Sequence, residues 1–184
     1  MTSPIQLPES FDWKPWITRW ERMQERYLVK RTHRFAMLID LIESTQRHLS
    51  TIVEFGCGPG SLTIRLLEMF PKAQVIAIDL DPTLLPLAER RTIKYQDRVQ
   101  FLYRDLRDAE WMKDIPEPIN AVVSTTALHW LNKRHLKHLY RQVAGVLGDR
   151  GIFLNADHVG SDFRRVQRYW EQRRKGMRAQ SRDP

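Results

Sequence analysis

The sequence predicts an α/β domain in which helices cover both faces of a doubly wound parallel sheet of five strands, ordered 3-2-1-4-5. Three observations carry that prediction. Short runs of β-branched and apolar residues alternate with segments of helical period. The first run stops at Gly56-Cys57-Gly58-Pro59-Gly60, a turn that opens into a helix, and the second stops at Asp79. Strands alternating with helices imply right-handed crossovers and a sheet buried on both sides.

The elements follow in order. Asp12 is placed to cap a helix that tolerates Pro15 in its first turn, and Trp13, Trp16, Trp20, Met23 and Tyr27 recur at spacings of three and four, predicting one aromatic stripe. A second helix places Phe35, Leu38, Ile39 and Ile42 on one face and ends in a polar run through Gln46 and His48. Thr51 to Phe55 is the first strand. Ser61 to Phe70 returns to helical spacing, with Leu62, Leu66 and Met69 expected inward and Pro71 as the stop. Val75 to Ile78 is the second strand. The next helix is capped near Asp81 or Thr83, and Pro86 favours a start at Leu84. Val99 to Tyr103 and Ala121 to Ser124 are the third and fourth strands, separated by a loop holding Trp111 and two prolines. Asn132 caps a helix with Leu136, Leu139, Val143 and Leu147 expected inward, and Ile152 to Asn155 is the fifth strand. Phe163, Val166 and Trp170 are expected to anchor a short basic helix at the end.

At 184 residues and 42% hydrophobic, the chain suits one buried core: residues 1–50 as cap helices, 51–160 as the sheet domain, and 161–184 as a basic helix or tail. No run of some 18 apolar residues is present, and Met1 to Pro15 is polar and broken by prolines, so a cytoplasmic protein is expected. Cys57 is the one cysteine, which excludes an intrachain disulfide and a multi-cysteine metal cage. The net charge of +8 is concentrated late: residues 161–184 hold eight Arg or Lys against three Asp or Glu. Such a tail reads as solvated, and nucleic acid is not the expected partner.

In an open α/β sheet ligands bind at the carboxyl ends of the strands, where strand order reverses. Here that point follows the first strand. Gly56, Gly58 and Gly60 permit a tight turn and a close ligand approach at a helix N-terminus. Asp79 is placed to accept hydrogen bonds from both hydroxyls of an adenosine ribose. The dinucleotide fingerprint spaces its glycines G-x-G-x-x-G, whereas this loop is G-x-G-x-G. Glu54 sits two positions before the first glycine, where it attracts a cationic ammonium and repels a pyrophosphate. S-adenosylmethionine has that ammonium; NAD has the pyrophosphate.

VEFGCGPGSLT, IAIDLDP and FLYRDL together resemble the motifs of the class I S-adenosylmethionine-dependent methyltransferases, which have a Rossmann-like fold, over about Val53 to Asp157. AVVSTTALHWL is similar to the segment after strand four in the small-molecule branch that includes the trans-aconitate methyltransferases. The resemblance implies S-adenosylmethionine as cofactor and S-adenosylhomocysteine as product. It sets Glu54 and Gly56 against the methionine part, with Cys57 as a small filler in the loop, Asp79 on the ribose, Leu80 on one adenine face, and Asp105 with Leu106 at the adenine edge. Ser124 is a further expected cofactor contact. The segment Ser124 to Trp130 lacks the Asn/Asp-Pro-Pro-Tyr/Phe pattern used on exocyclic base amines, which argues against that substrate class.

Methyl transfer from a sulfonium is an in-line displacement in which alignment supplies much of the catalysis. His129 is the candidate to orient an acceptor or take its proton; a structural histidine is an equal reading. Tyr27, Arg31 and Trp130 are candidate lid or substrate residues, although the aromatic stripe serves packing equally well. His135 and His138 have helical spacing but no third ligand and lie among Lys133, Arg134 and Lys137, so no metal is expected. The resembling family has two further strands after the fifth, and Pro-Gly-Gly where this chain has Gly148-Asp149-Arg150-Gly151. That leaves three explanations: a fragment, an edge completed by another subunit or partner, or a reduced domain. Three functions follow: a small-molecule methyltransferase, a non-catalytic S-adenosylmethionine-binding or partner-binding domain, and, disfavoured by the glycine spacing, an NAD-dependent oxidoreductase.

Overall fold

A computed structural model describes residues 5–158 and 160–180. The expectations drawn from Met1 to Pro4 and from the last four residues of the basic segment lie outside the described residues. The chain runs α1 (Lys14–Tyr27), α2 (Arg31–Thr45), β1 (Thr51–Phe55), α3 (Thr63–Met69), β2 (Gln74–Asp79), α4 (Leu85–Arg91), β3 (Val99–Tyr103), β4 (Ile119–Thr125), α5 (Lys133–Val146), β5 (Leu147–Ala156) and α6 (Arg164–Gln180). Short 3-10 turns lie at Ile93–Arg98, Ala109–Met112 and Leu128–Trp130. The five strands pair in the order β3-β2-β1-β4-β5, all parallel, as the alternation of elements predicts.

The core lies in two layers, one on each face of the sheet. Phe35, Leu38, Ile39 and Ile42 of α2 join Leu62, Leu66 and Leu67 beneath Ile52, Val75 and Val123. On the other face Val53, Phe55, Ile76, Ile78 and Val122 meet Leu128, Leu139 and Val143. Trp111 closes that layer: its ring packs edge-on against Phe55 with centroids 4.8 Å apart, and its indole N–H donates to Gln142 Oε1 at 3.0 Å. The strands read as near-continuous apolar runs because parallel strands bury both faces.

Several sequence expectations are corrected by long-range packing. Met69 is half exposed and Leu67 turns inward instead. Leu147 opens β5 rather than closing α5, so helix runs directly into strand, with a register shift between Ile119 and Ala121. The buried face of α1 is not the aromatic stripe: Trp16, Met23 and Tyr27 are exposed, while Ile17 and Leu28 are buried. Glu21 is on the side of α1 turned to the domain, where its carboxylate pairs with both Arg31 of α2 and Arg91 of α4. On α6 the predicted anchors Phe163, Val166 and Trp170 are all exposed. Asn132 does cap α5, accepting the His135 N–H at 2.9 Å. Asp12 accepts the Lys14 N–H at 3.3 Å, although Trp13 is the cap residue of α1. Among the described residues no helix is long and apolar enough to cross a membrane.

Candidate functional site

The carboxyl ends of β1, β2 and β4 open onto a cleft of about 790 Å³, roofed by α1 and α2. Its floor is the glycine loop. Gly56, Gly58 and Gly60 hold φ of +66°, +52° and +74°, conformations that β-carbons disfavour. At Gly56 an added Cβ would lie 2.2 Å from Ala127 Cβ, so this glycine lets the segment after β4 cross the loop at contact distance. The Gly56 and Cys57 N–H groups both donate to Ile78 O, at 2.8 and 3.1 Å, which pins the loop to β2.

Two acidic groups flank the loop. Glu54 is buried, accepts the Thr63 hydroxyl at 2.6 Å, and lines the cleft. Burial pushes its pKa up to about 8, partly countered by the Thr63 hydrogen bond. Asp79 accepts the Gly58 N–H at 2.7 Å on Oδ2 and the Asp81 N–H at 2.9 Å on Oδ1. Burial raises its pKa while those backbone bonds oppose the rise. Each Asp79 oxygen keeps a second lone pair for a ligand hydroxyl. Cys57 is buried, and desolvation drives its thiol well above the ordinary range, which suits a filler and opposes a nucleophile.

Glu54, Gly56, Cys57, Gly58, Asp79, Leu80, Asp105, Leu106, Arg31 and Trp130 all line this one cleft. Asp105 is bound by Arg107, whose Nε lies 2.9 and 2.8 Å from its two oxygens, and the contact holds its pKa below the usual carboxylate range. Arg31 is paired with Glu21 and stacks over Phe35 at 4.7 Å. Trp130 stands 84% exposed at the rim.

Four expected residues lie elsewhere. Ser124 is absent from the cleft wall: its hydroxyl donates to Phe55 O at 3.1 Å inside the sheet. Gly60 faces Ala88 of α4, which a Cβ would approach to 3.3 Å, so its role is the fit of that helix on the loop. Tyr27 lies outside the cleft, on a separate pocket of about 230 Å³ with Arg34, Asp157, His158, Trp170 and Arg174. His129 is not on the cleft wall either; its Nδ1 meets Asp157 Oδ1 at 2.8 Å and its backbone N–H donates to Asp157 Oδ2 at 3.0 Å. A carboxylate on Nδ1 places the proton there and leaves the lone pair of the neutral ring on Nε2.

Gln24 lines the cleft and Asp157 anchors His129 without any pattern in the sequence to single them out, whereas Trp20 enters only with the aromatic stripe and Thr125 and Thr126 only with the segment after the fourth strand. Among the described residues Trp20 Nε1 and Thr125 Oγ1 are buried without a hydrogen-bond partner, and both residues line the cleft. Orphaned polar atoms in a cleft wall call for a polar ligand. Thr126 has φ of +53°, a strained value for a non-glycine residue, at the point where the chain leaves β4. That strain was the one signal available there, and it is visible only in the backbone.

A family described as Methyltransferase domain matches residues 52–151. The malonyl-[acyl-carrier protein] O-methyltransferase of Priestia megaterium is 33% identical over 94 residues, covering 50% of this chain and 32% of that protein. Its counterpart from Bacillus cytotoxicus is 30% identical over 122 residues, covering 65% of this chain and 39% of that protein. The chain therefore spans well under half the length of these curated relatives. Among solved structures, an S-adenosylmethionine-dependent methyltransferase from Clostridium acetobutylicum superposes with a TM-score of 0.62 at 17% identity, covering 74% of this chain and 55% of that one. The amino pentose methyltransferase CalS10 of Micromonospora echinaspora, solved with S-adenosylmethionine bound, gives 0.61 at 19% identity, covering 86% and 61%. With the glycine loop, its acidic partners and more than half of the sequence matching, the chain belongs to the class I S-adenosylmethionine-dependent methyltransferase family.

Proposed function

We propose that this domain transfers a methyl group from S-adenosylmethionine to a small-molecule acceptor, and that the cleft beside Gly56 to Gly60 is its cofactor site. The observation that carries this is the joint lining of one cleft by Glu54, the bare glycine backbone, Asp79 and Asp105, with the unpartnered Trp20 Nε1 above them. When bound, the cofactor supplies a methyl group on a sulfonium that is open to in-line displacement. Glu54 holds the ammonium, gaining a charge partner for a carboxylate that is otherwise costly to ionise in its buried position. Trp20 Nε1 donates to the carboxylate, the two free lone pairs of Asp79 accept the ribose hydroxyls, and Leu80, Asp105 and Leu106 border the adenine.

The acceptor enters from the pocket of Tyr27, Arg34, Trp170 and Arg174. Its two ring walls and two guanidinium groups suit a flat or apolar body carrying a negative charge. His129, fixed by Asp157, which lines that pocket, orients the acceptor or accepts its proton at Nε2. The reducing cytoplasm suits the free Cys57 thiol.

Calorimetric titration with S-adenosylhomocysteine and NAD tests the cofactor site: homocysteine-nucleoside binding without NAD binding is expected, and the reverse overturns the proposal. A methyl-release screen against a metabolite extract then tests turnover. Cofactor binding with no methylated product would make the domain a binding module.

A further inference from the structure

A second concavity, of about 370 Å³, lies outside the sheet's ligand cleft. Its wall is made of Arg107, Arg134, His135, Lys137, His138 and Arg141. Among the described residues no carboxylate lines it, although Asp105 pairs with Arg107 and Asp108 lies near enough to act on its charge, and α5, which contributes five of these residues, contains no Asp or Glu. Lys133 and Arg134 occupy the first turn of that helix, where the backbone dipole already presents positive charge and acidic residues are the stabilising choice. Converging like charges, set against a helix dipole, imply an anion that belongs among them.

The protonation pattern sharpens the chemistry. Trp111 Nε1 is a donor only, so the Gln142 atom it meets at 3.0 Å is the amide oxygen. The Gln142 NH2 group therefore faces His138 Nε2, 3.0 Å away, and that ring nitrogen must accept. The proton of neutral His138 is then on Nδ1, and the remaining polar atom of the ring is a donor. Arg107, Arg134, Lys137 and Arg141 offer donors alone. With donors on five of the six lining residues and several positive charges among them, the wall fits a multiply charged oxyanion with three or more acceptor oxygens, which describes a phosphoryl group better than a single carboxylate.

The surroundings narrow the occupant further. A nucleic acid strand requires a basic track with stacking rings; here the cations span only Arg134 to Arg141 on the helix, and no Phe, Tyr or Trp lines the concavity. Arg107 alone borders both this concavity and the cofactor cleft. Its guanidinium holds both oxygens of Asp105, the carboxylate at the far end of that cleft.

We propose that the concavity between α5 and Arg107 binds the phosphoryl group of a small ligand, and that Arg107 couples this site to Asp105. A dianion among these cations draws the Arg107 guanidinium away from Asp105 and frees Oδ2 for the cofactor's adenine amine, while Oδ1 keeps the Arg107 backbone N–H at 2.9 Å. The coupling rests on the cofactor reading of the cleft given above; the anion site does not.

The test uses the full chain at constant ionic strength, titrated with inorganic phosphate and with pyrophosphate. Saturable binding is expected, weakened by about tenfold or more in the double variant Arg134→Gln/Arg141→Gln, since each charged hydrogen bond removed contributes on that scale. Equal binding by wild type and variant, or none by either, overturns the site. So does an oligonucleotide that binds through these residues while phosphate and pyrophosphate do not. Displacement by a metabolite extract freed of inorganic phosphate identifies the source: displacement abolished by phosphatase treatment and removal of the released phosphate assigns the group to a larger phosphorylated ligand, and no displacement by the phosphate-free extract assigns it to the free ion. For the coupling, S-adenosylhomocysteine should bind several-fold tighter in phosphate than in chloride, and Arg107→Gln should erase that difference. Equal affinity in both salts overturns the coupling. If the homocysteine nucleoside binds in neither salt, the cofactor reading falls while the phosphate titration still decides the anion site.

Discussion

Gly56→Ala is the perturbation whose cost the geometry states most directly. At φ +66° an alanine bears a left-handed strain of about 1–2 kcal/mol. Its Cβ would also lie 2.2 Å from Ala127 Cβ, where carbon atoms settle at about 3.5–4.0 Å. Relieving that overlap means moving the segment that leads to His129, an overpacking cost of about 1–3 kcal/mol. The next nearest atom is Ala127 Cα, at 3.6 Å, an ordinary contact. Ala127→Gly therefore removes the whole clash and leaves only the strain. By itself Ala127→Gly should cost about 0.5–1 kcal/mol in backbone freedom. Urea unfolding of the wild type, both single variants and the double variant should return a favourable coupling of about 1–3 kcal/mol, the overpacking share of the Gly56→Ala cost. Gly58→Ala is the control: its φ is +52°, but an added Cβ meets nothing closer than Trp20 at 3.6 Å, so strain alone should remain. Additive losses in the double variant would refute the argument that Ala127 is what forbids a side chain at position 56.

Other predictions follow from the charged groups. Asp79→Asn keeps the shape but loses one acceptor oxygen and the charge, and should weaken S-adenosylhomocysteine binding by about 1.5–3 kcal/mol in calorimetry. For Glu54 the folded pKa of about 8 lies above the ordinary carboxylate value of 4.5, so the ligand-free fold holds the extra proton. That stabilising contribution is complete below the unfolded pKa and is lost as pH rises toward 8, by roughly 5 kcal/mol at most across the window. Glu54→Gln should flatten that decline in urea midpoints measured from pH 5 to pH 8. Cofactor binding near neutral pH should release a proton from Glu54, seen as calorimetric heats that differ between buffers of different ionisation enthalpy. His129→Ala should lower kcat by about 10²-fold or more if Nε2 takes a proton. Asp157→Asn should reproduce part of that loss with a displaced pH profile; unchanged turnover in His129→Ala would confine the histidine to structure.

The sheet was legible because its signals are local. Thr51 to Phe55 and Gln74 to Asp79 announce themselves by β-branched runs and by what stops them, and strand order follows from chain alternation and crossover handedness. The glycine loop and Asp79 were legible for the same reason: a left-handed turn and a strand-end carboxylate are each written within a few residues. Ser124 shows the limit. Its position at the end of β4 was read correctly, but period-two alternation only narrows the direction of a side chain, and contact with Phe55 O decides it. Tyr27 ends α1 on an exposed face, outside the cleft and beside Arg34 and Trp170, while Glu21 of the same helix pairs with residues that stand 10 and 70 positions away.

What the sequence determined by itself was therefore the fold, the family and the glycine loop, because backbone preference and hydrophobic period act over one turn or one strand. Only the tertiary structure decided which side chains share a wall. The His129–Asp157 contact spans 28 residues, and the Arg107–Asp105 clamp acquires its meaning from α5 packed beside it. Such pairings depend on the packing of several elements at once, and no local pattern encodes them.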